Sequence, residues 1–351
     1  MRRGEYDLAV IGAGPAGAAL ALAAARGGAA VLLVDRCAFD QPRIGETAPP
    51  EIRMAAAALG IGDLLDDPEI AREAPAVASV WGDTEPAERH HILSPYGPAV
   101  HLNRKTFDRA LADRASKAGA TLRLGKAARV TLKGADACLL ELGGGEMARA
   151  GLVALAVGRT AGGAGLLLKR VPLNDHVCLV AFLEGVPRDN RTMVEAVAEG
   201  WIYAAALPGN RTVVALTTRS SLVPRTAAFR MRFWEAAIDR SILIAPAIIG
   251  LAAARSVSVA NSRASVARRV GGQRWCAVGD ARLAPDPLSG QGLLSALNDA
   301  AFVAGMLLQS RGDDIAGELR TRSRQDTANH AAAAAAVYGG ERRFAAGPFW
   351  A

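Results

Sequence analysis

One stretch near the start of the chain limits the fold more than any other feature. Tyr6 to Ile11 (YDLAVI) is a continuous apolar run of strand length, and Gly12-Ala13-Gly14-Pro15-Ala16-Gly17 follows at once. An Ala/Leu helix pattern then reaches Arg26, a Gly27-Gly28 break interrupts it, and a second strand from Ala30 to Val34 ends on Asp35. Strand, GxGxxG turn, helix, strand and acid in this order form the βαβ unit that cradles a dinucleotide. Gly12 permits the tight turn, Gly14 lets the backbone approach a pyrophosphate, and Gly17 lets helix and strand pack closely. Pro15 and Ala16 open the helix, whose N-terminal N–H groups are offered to the phosphates. Asp35 is placed to accept hydrogen bonds from a ribose.

A distant segment narrows the choice of dinucleotide. Arg274-Trp275-Cys276-Ala277-Val278-Gly279-Asp280 reads as a buried strand running into a Gly-Asp turn. It continues through Ala281-Arg282-Leu283-Ala284-Pro285-Asp286-Pro287-Leu288-Ser289-Gly290-Gln291-Gly292 into an Ala/Leu helix from Leu293 to Met306. This pattern is similar to the second FAD-binding motif of class A flavin monooxygenases and related flavoproteins. In that family the Asp binds the ribityl chain, and the turn before the helix offers N–H groups to the pyrimidine end of the flavin, where negative charge develops on reduction. The resemblance assigns Asp280, Pro287, Gly290, Gln291 and Gly292 to FAD. Taken alone, Asp280 reads equally as a turn or cap aspartate.

Three further segments resemble the same superfamily. Pro42-Arg43-Ile44-Gly45-Glu46-Thr47-Ala48-Pro49-Pro50 resembles the GE(S/T)xPP segment of flavin-dependent halogenases and of the geranylgeranyl reductase group. His101 to Asp108 resembles a segment whose arginine, here Arg104, approaches the cofactor. Ala156-Val157-Gly158-Arg159 resembles the ATGR turn, with Val157 in place of Thr and Leu155 in place of the usual Asp. Arg43, Gly45, Glu46, Arg104 and Gly158 thereby join the expected cofactor set, and Arg36, next to Asp35, is placed with Arg43 and Arg104 near the FAD phosphates or the flavin. Read without the family, Arg104 is a solvated residue at a helix N-terminus and Glu46 the cap of a loop.

The resemblance implies an α/β fold: a Rossmann-like FAD/NAD(P)-binding domain with an interleaved antiparallel-sheet substrate domain. The expected division gives 5–80, 101–160 and 256–312 to FAD, 81–100 and 161–255 to substrate, and 313–351 to a C-terminal helical segment. The matches run nearly the whole chain, so no truncated domain is expected. Strand-like runs at His176 to Leu183, Trp201 to Leu207 and Arg211 to Thr218, with a Pro208-Gly209-Asn210 turn, point to an antiparallel sheet. Trp201 and Tyr203 alternate onto one face, where they line a pocket or pack in the core. Trp81 and His101 are further pocket candidates, and no specific catalytic residue is assigned.

Within the superfamily, halogenases use a lysine near the substrate, located between the GE segment and the next FAD-contacting arginine. Here no lysine precedes Lys105, and the WxWxIP motif of halogenases is absent. Gly200-Trp201-Ile202-Tyr203-Ala204-Ala205-Ala206-Leu207-Pro208, DPLSGQG and the Tyr338 to Trp350 ending instead resemble the flavoprotein maturases of quinone-cofactor amine oxidases. Those are associated with oxygenating a tryptophan in a protein or peptide. The activity implied is hydroxylation of an electron-rich aromatic group through a flavin C4a-hydroperoxide, with O₂ as cosubstrate and an aromatic small molecule or peptide/protein as substrate. Alternatives are a geranylgeranyl reductase-type reductase or dehydrogenase, a disfavoured halogenase, and a non-catalytic flavin-binding escort protein. Gly162-Gly163-Ala164-Gly165 lacks the spacing of a second nucleotide fingerprint, so NAD(P)H docks transiently or a partner flavin reductase supplies electrons.

Composition excludes other classes. With 351 residues, 51% of them apolar and 21% charged, the chain has ample material for a packed core. The net charge is +7, yet only five of the 41 basic residues are lysines (Lys105, Lys117, Lys126, Lys133, Lys169), and no run of five like charges occurs. A basic nucleic-acid arm is therefore missing, and no nucleic-acid partner is expected. Cys37, Cys138, Cys178 and Cys276 form no CxxC pair, so no metal site is expected and a reduced, cytoplasmic protein is. The apolar stretch from Ala18 to Ala25 is too short to span a bilayer.

Overall fold

The computed structural model describes residues 4–41, 43–131, 137–160, 168–309 and 314–351. Pro42, Lys133 and the Gly162-Gly163-Ala164-Gly165 run lie outside the described residues. At the centre is a parallel sheet in the order Trp275–Ala277, Glu146–Leu155, Glu5–Ile11, Val31–Asp35, Thr121–Leu124. Antiparallel strands extend it: Gly271–Gly272 beside Trp275–Ala277, and Ala128–Thr131 with Cys138–Leu142 beside Glu146–Leu155. Leu8, Ala9 and Val10 are fully buried, which explains why the first strand reads as an uninterrupted apolar run instead of an alternating one.

The helix Pro15–Arg26 packs against both Arg104–Lys117 and Gly292–Leu308. Its alanines make that possible. Ala18, Ala19, Ala21 and Ala24 are wholly buried, so the helix is apolar nearly all round, as a helix enclosed by neighbours must be. It ends at Gly27, and Gly28 takes a φ of 88° that redirects the chain into Val31–Asp35.

A second sheet of seven strands has the order Ser258–Asn261, His176–Glu184, Arg211–Arg219, Gly200–Leu207, Thr192–Val197, Ala76–Val80, Ala87–His90. Its neighbours are antiparallel except Thr192–Val197 with Ala76–Val80. The turn at Pro208-Gly209-Asn210 is where the sequence places it, with Gly209 and Asn210 at φ of 76° and 55°. One face, carrying Leu179, Ala181, Ile202, Ala204, Val214 and Leu216, packs under the helices Ala227–Asp239 and Ile244–Ile248. The buried Glu195 carboxylate accepts the N–H groups of Ile242, Leu243 and Ile244, seating the shorter helix. Ala76–Val80 and Ser258–Asn261 belong to this sheet, although the sequence division put both segments on the FAD side.

The helix Ile315–Gly340 runs along the parallel-sheet edge, and residues 341–351 continue as turns, so the C-terminal segment is helical only to Gly340. Among the described residues no helix is long and apolar enough to cross a membrane.

Candidate functional site

A cavity of about 560 Å³ lies between the N-terminal βαβ unit and the second face of the seven-stranded sheet. Of the residues expected at a cofactor, Gly12, Gly14, Pro15, Ala16, Asp35, Arg36, Arg43, Gly45, Glu46, Arg104, Gly158, Asp280, Pro287, Gly290 and Gly292 all line it. Gly17 and Gln291 do not. Trp201 and Tyr203 line it, whereas Trp81 and His101 do not.

The three glycines of the first motif divide by role. A Cβ on Gly12, whose φ is 107°, would sit 2.2 Å from the Ala156 carbonyl oxygen, and one on Gly17 would sit 1.8 Å from the Gly12 oxygen. Both positions are fixed by the protein's own backbone packing. A Cβ on Gly14 would meet only Arg43 Nη1, at 3.5 Å, so this glycine leaves room on the cavity side. Gly14 is also the N-cap of Pro15–Arg26, with no side-chain cap, so the helix N-terminus is presented to the cavity. At the neighbouring strand end, Asp35 accepts the N–H groups of Ala13 (2.6 Å) and Cys37 (2.8 Å).

Arg43 and Arg104 converge on Asp108, which is fully buried. Arg43 Nη1 donates to Asp108 Oδ2 at 3.0 Å, and Arg104 donates through Nε and Nη2 to both carboxylate oxygens at 3.1 Å. Arg104 Nη1 also donates to the carbonyls of Ile44 and Gly45, each at 2.9 Å. Arg104 is therefore not a solvated helix-start residue. It clamps the Arg43–Glu46 loop against the helix Arg104–Lys117. Burial works against its charge, but Asp108 outweighs that and holds the guanidinium pKa up.

Glu46 is buried at 4% exposure. Its Oε2 accepts the Gly45 N–H at 2.9 Å, as a loop cap would, while Oε1 takes no hydrogen bond from any described residue. Burial pushes its carboxyl up to about 7, against weaker opposing effects of the backbone N–H groups, Arg104 and Arg211.

The second motif meets the first through glycine packing. A Cβ on Gly279, at φ 57°, would lie 2.7 Å from the Ala16 Cβ. Asp280 pairs with Arg159 at 3.1 Å, and Arg159 also donates to the Pro285 carbonyl at 2.9 Å. The VGR turn thus anchors the loop that carries Asp280. Before the Pro287–Gly292 turn stands Asp286, which the sequence reading passed over. It is 2% exposed and accepts from Asn174 Nδ2 (2.9 Å), His176 Nδ1 (3.2 Å), Leu288 N–H (3.0 Å) and Tyr338 OH (3.1 Å). Burial alone would raise its pKa, and His176, the Leu288 N–H and Tyr338 hold it below the usual carboxylate value. Its own N–H donates to His330 Nε2 at 3.2 Å. His330 and Tyr338 come from the C-terminal helix, a partnership that no local pattern reveals.

The sheet wall follows a period of two. Cys178 and Val180, Trp201 and Tyr203, and Val213, Ala215 and Thr217 point into the cavity. Trp201 Nε1 donates to Tyr338 OH at 3.0 Å, which ties the wall to the Asp286 cluster. Tyr203 OH and Thr47 Oγ1 share a hydrogen bond of 2.6 Å. His101 lies behind this wall, fully buried. Its Nδ1 is 2.9 Å from the Ala206 carbonyl and its Nε2 is 2.8 Å from Thr192 Oγ1. A carbonyl only accepts, so Nδ1 carries the proton and Nε2 accepts from Thr192. Burial drives its pKa down to about 4. Trp81 is spent elsewhere, donating to the Val337 carbonyl at 2.8 Å and meeting Tyr338 and Trp350 edge-on. Among the described residues no group of three His, Cys, Asp or Glu could hold a metal.

The arrangement suits an elongated, phosphate-bearing ligand running from Asp35, past a helix N-terminus, to the turn at Pro287–Gly292. An apolar, aromatic-bearing space remains beside the sheet wall.

No family model matches the chain. It is 26% identical to the digeranylgeranylglycerophospholipid reductase of Methanosarcina acetivorans, over 86% of this chain and 74% of the relative. Among solved structures, the myxobacterial chondrochloren halogenase CndH, an FAD-dependent halogenase variant, superposes with a TM-score of 0.87 at 23% identity. That match covers 99% of this chain and 85% of CndH. The peptidyl tryptophan dihydroxylase QhpG, essential for tryptophylquinone cofactor biogenesis, superposes with a TM-score of 0.78 at 27% identity, covering 99% of this chain and 78% of QhpG.

Proposed function

We propose an FAD-dependent monooxygenase that hydroxylates an electron-rich aromatic group, a reading supported by the likeness to the dihydroxylase, to the archaeal reductase and, in fold, to the FAD-dependent halogenases. The observation that carries the reading is one cavity joining a dinucleotide cradle to an apolar wall without lysine. Lys126 is the sole lysine among its lining residues, and its backbone N–H bonds to the Asp35 carbonyl, beside the first glycine motif. A halogenase of this fold needs a lysine beside its substrate, so the wall favours oxygen transfer.

The chain's residues divide the work. Gly14, Pro15 and Ala16 would offer the helix N-terminus to a pyrophosphate, and Asp35 would take the adenosine ribose. Asp280, held by Arg159, would take the ribityl chain. The Gly290–Gly292 turn opens the helix Gly292–Leu308, whose N-terminus favours negative charge on the flavin ring. FAD bound there would supply the electrons and the activation of O₂. Val180, Val213, Ala215 and Trp201 would exclude water and hold an aromatic ring beside it. Peptidyl tryptophan is among the candidate groups, by likeness to the dihydroxylase. NAD(P)H or a partner flavin reductase would supply reducing equivalents, and we assign the protein to the cytoplasm.

A second reading, hydrogenation of a polyprenyl chain, is supported by the likeness to the archaeal reductase. The two separate under ¹⁸O₂. The FAD-loaded protein with a flavin reductase and 3-methylindole or a tryptophan-containing peptide should give a product carrying ¹⁸O. An unlabelled product, halogenation in added chloride or bromide, or anaerobic saturation of a polyprenyl substrate would each overturn the monooxygenase assignment.

A further inference from the structure

We propose that Glu46 is the polar recognition point of the cavity and selects aromatic ligands that carry a ring N–H or O–H, indoles and phenols, over isosteres without that donor. The inference rests on the reading above that the cavity takes an aromatic ring.

Its basis is one unmatched atom. Gly45, with a φ of 93°, turns the loop so that Glu46 enters the space between the Arg43–Glu46 loop and the sheet wall. Oε2 is occupied by the Gly45 N–H, and Oε1 is buried without a partner among the described residues. The groups facing it are already engaged. Arg104 gives its guanidinium to Asp108, Ile44 and Gly45. Arg211 lies over the Phe182 ring at 4.6 Å. Tyr203 OH is bonded to Thr47, and Cys178 Sγ accepts from Thr217 Oγ1 at 3.6 Å. A buried acceptor left alone is costly, and a site built around one discriminates strongly against ligands that cannot donate to it. The surrounding wall of Val180, Val213, Ala215 and Trp201 is apolar, so the donor must come on an otherwise apolar, ring-sized ligand.

The same geometry gives a pH signature. Of the groups facing Glu46, Asp108 holds the Arg104 guanidinium pKa up, and burial pushes Tyr203 above its usual range and Cys178 up to about 12. Glu46 alone among them titrates near 7. An incoming N–H or O–H favours its charged form, so ligand affinity rises as pH increases through 7 and levels off above it.

Two ligand pairs test this on the FAD-loaded, oxidised protein: 3-methylindole against 1,3-dimethylindole, and 4-methylphenol against 4-methylanisole. Binding is followed by calorimetry and by flavin absorbance between pH 6 and 8.5. The donor-bearing member of each pair should bind about 10-fold or more tighter at pH 8. In Glu46→Gln, the Gly45 N–H takes the amide oxygen and leaves the NH₂ facing the cavity. The preference should vanish or reverse and the pH dependence flatten when the variant is measured saturated with FAD. Equal binding within each pair, tightening as pH falls, or a preference that survives in Glu46→Gln would overturn the role of Glu46 while leaving an aromatic site in place. No binding by any of the four ligands would overturn the aromatic reading and this inference together.

Discussion

Gly14 and Gly17 look alike in the sequence but should fail differently when changed. Gly14→Ala places a methyl 3.5 Å from a flexible arginine tip, so the fold should survive with melting temperature nearly unchanged. FAD affinity should fall about 10-fold or more, close to 1.4 kcal/mol, because the methyl occupies the approach a pyrophosphate needs. Gly17→Ala drives a methyl to within 1.8 Å of a backbone oxygen, so it should cost about 4 kcal/mol or more and give little folded protein. Paired thermal melts and flavin titrations distinguish the two cases. His101 makes a prediction of a different kind. Its folded pKa of about 4 lies below the ordinary 6.5, so it contributes stability that is complete above 6.5 and lost as pH falls toward 4. The loss is at most about 3 kcal/mol. His101→Gln keeps a donor and an acceptor but takes up no proton, so its urea midpoint should fall less than wild type between pH 7.5 and 4.5. Glu46 runs the other way: with a folded pKa raised to about 7, its contribution is fully present below 4.5 and lost as pH rises through 7.

Among the elements, the two glycine-rich turns with their flanking strands and helices were legible because each is built locally. Strand, glycine turn and helix follow one another within about thirty residues, and the physics of each glycine is set by its neighbours. The alternation of Trp201 and Tyr203 was legible for the same reason, since a strand's period of two fixes which side chains share a face. What stayed hidden depends on distant segments. His101 and Trp81 were pocket candidates by type, yet their partners, Thr192 and Ala206 for one and Val337 for the other, are over ninety residues away. Asp286 was visible only as part of a turn motif, because its partners come from a strand near 176 and a helix near 338. That helix carries a prediction. Tyr338→Phe removes the acceptor for Trp201 Nε1 and a donor to Asp286, leaving both polar groups buried. The change should cost about 2 kcal/mol and release FAD more readily, as the Pro287–Gly292 turn loses one of its tethers. Unchanged flavin affinity in a destabilised Tyr338→Phe protein would confine the residue to fold stability.

Over the whole molecule, part of the chain's positive charge is engaged in ion pairs within the fold. Arg43 and Arg104 meet on Asp108, Arg159 holds Asp280, and the buried Arg282 is paired with Asp299 at 2.7 Å. These pairs knit the loops that line the cavity, so the net charge of +7 says little about a polyanionic partner. The final turns complete the same task from the other side. Arg343 donates to Val80 O, Trp350 Nε1 donates to Val197 O, and Glu341 accepts the Gly82 N–H, joining two strands of the seven-stranded sheet and the loop after one of them. Phe349, 3% exposed, lies tilted against the His176 ring with centroids 5.0 Å apart, and His176 in turn bonds Asp286. Phe349→Ala should therefore do more than lose the roughly 3–5 kcal/mol of a buried aromatic. By freeing His176 it should also weaken FAD binding, although Phe349 does not line the cavity. Excess FAD should then restore part of the lost melting temperature, because a ligand that binds only the folded state stabilises it by mass action. A variant that melts early but binds FAD with wild-type affinity would show that the C-terminal turns support the sheet without reaching the Pro287–Gly292 turn.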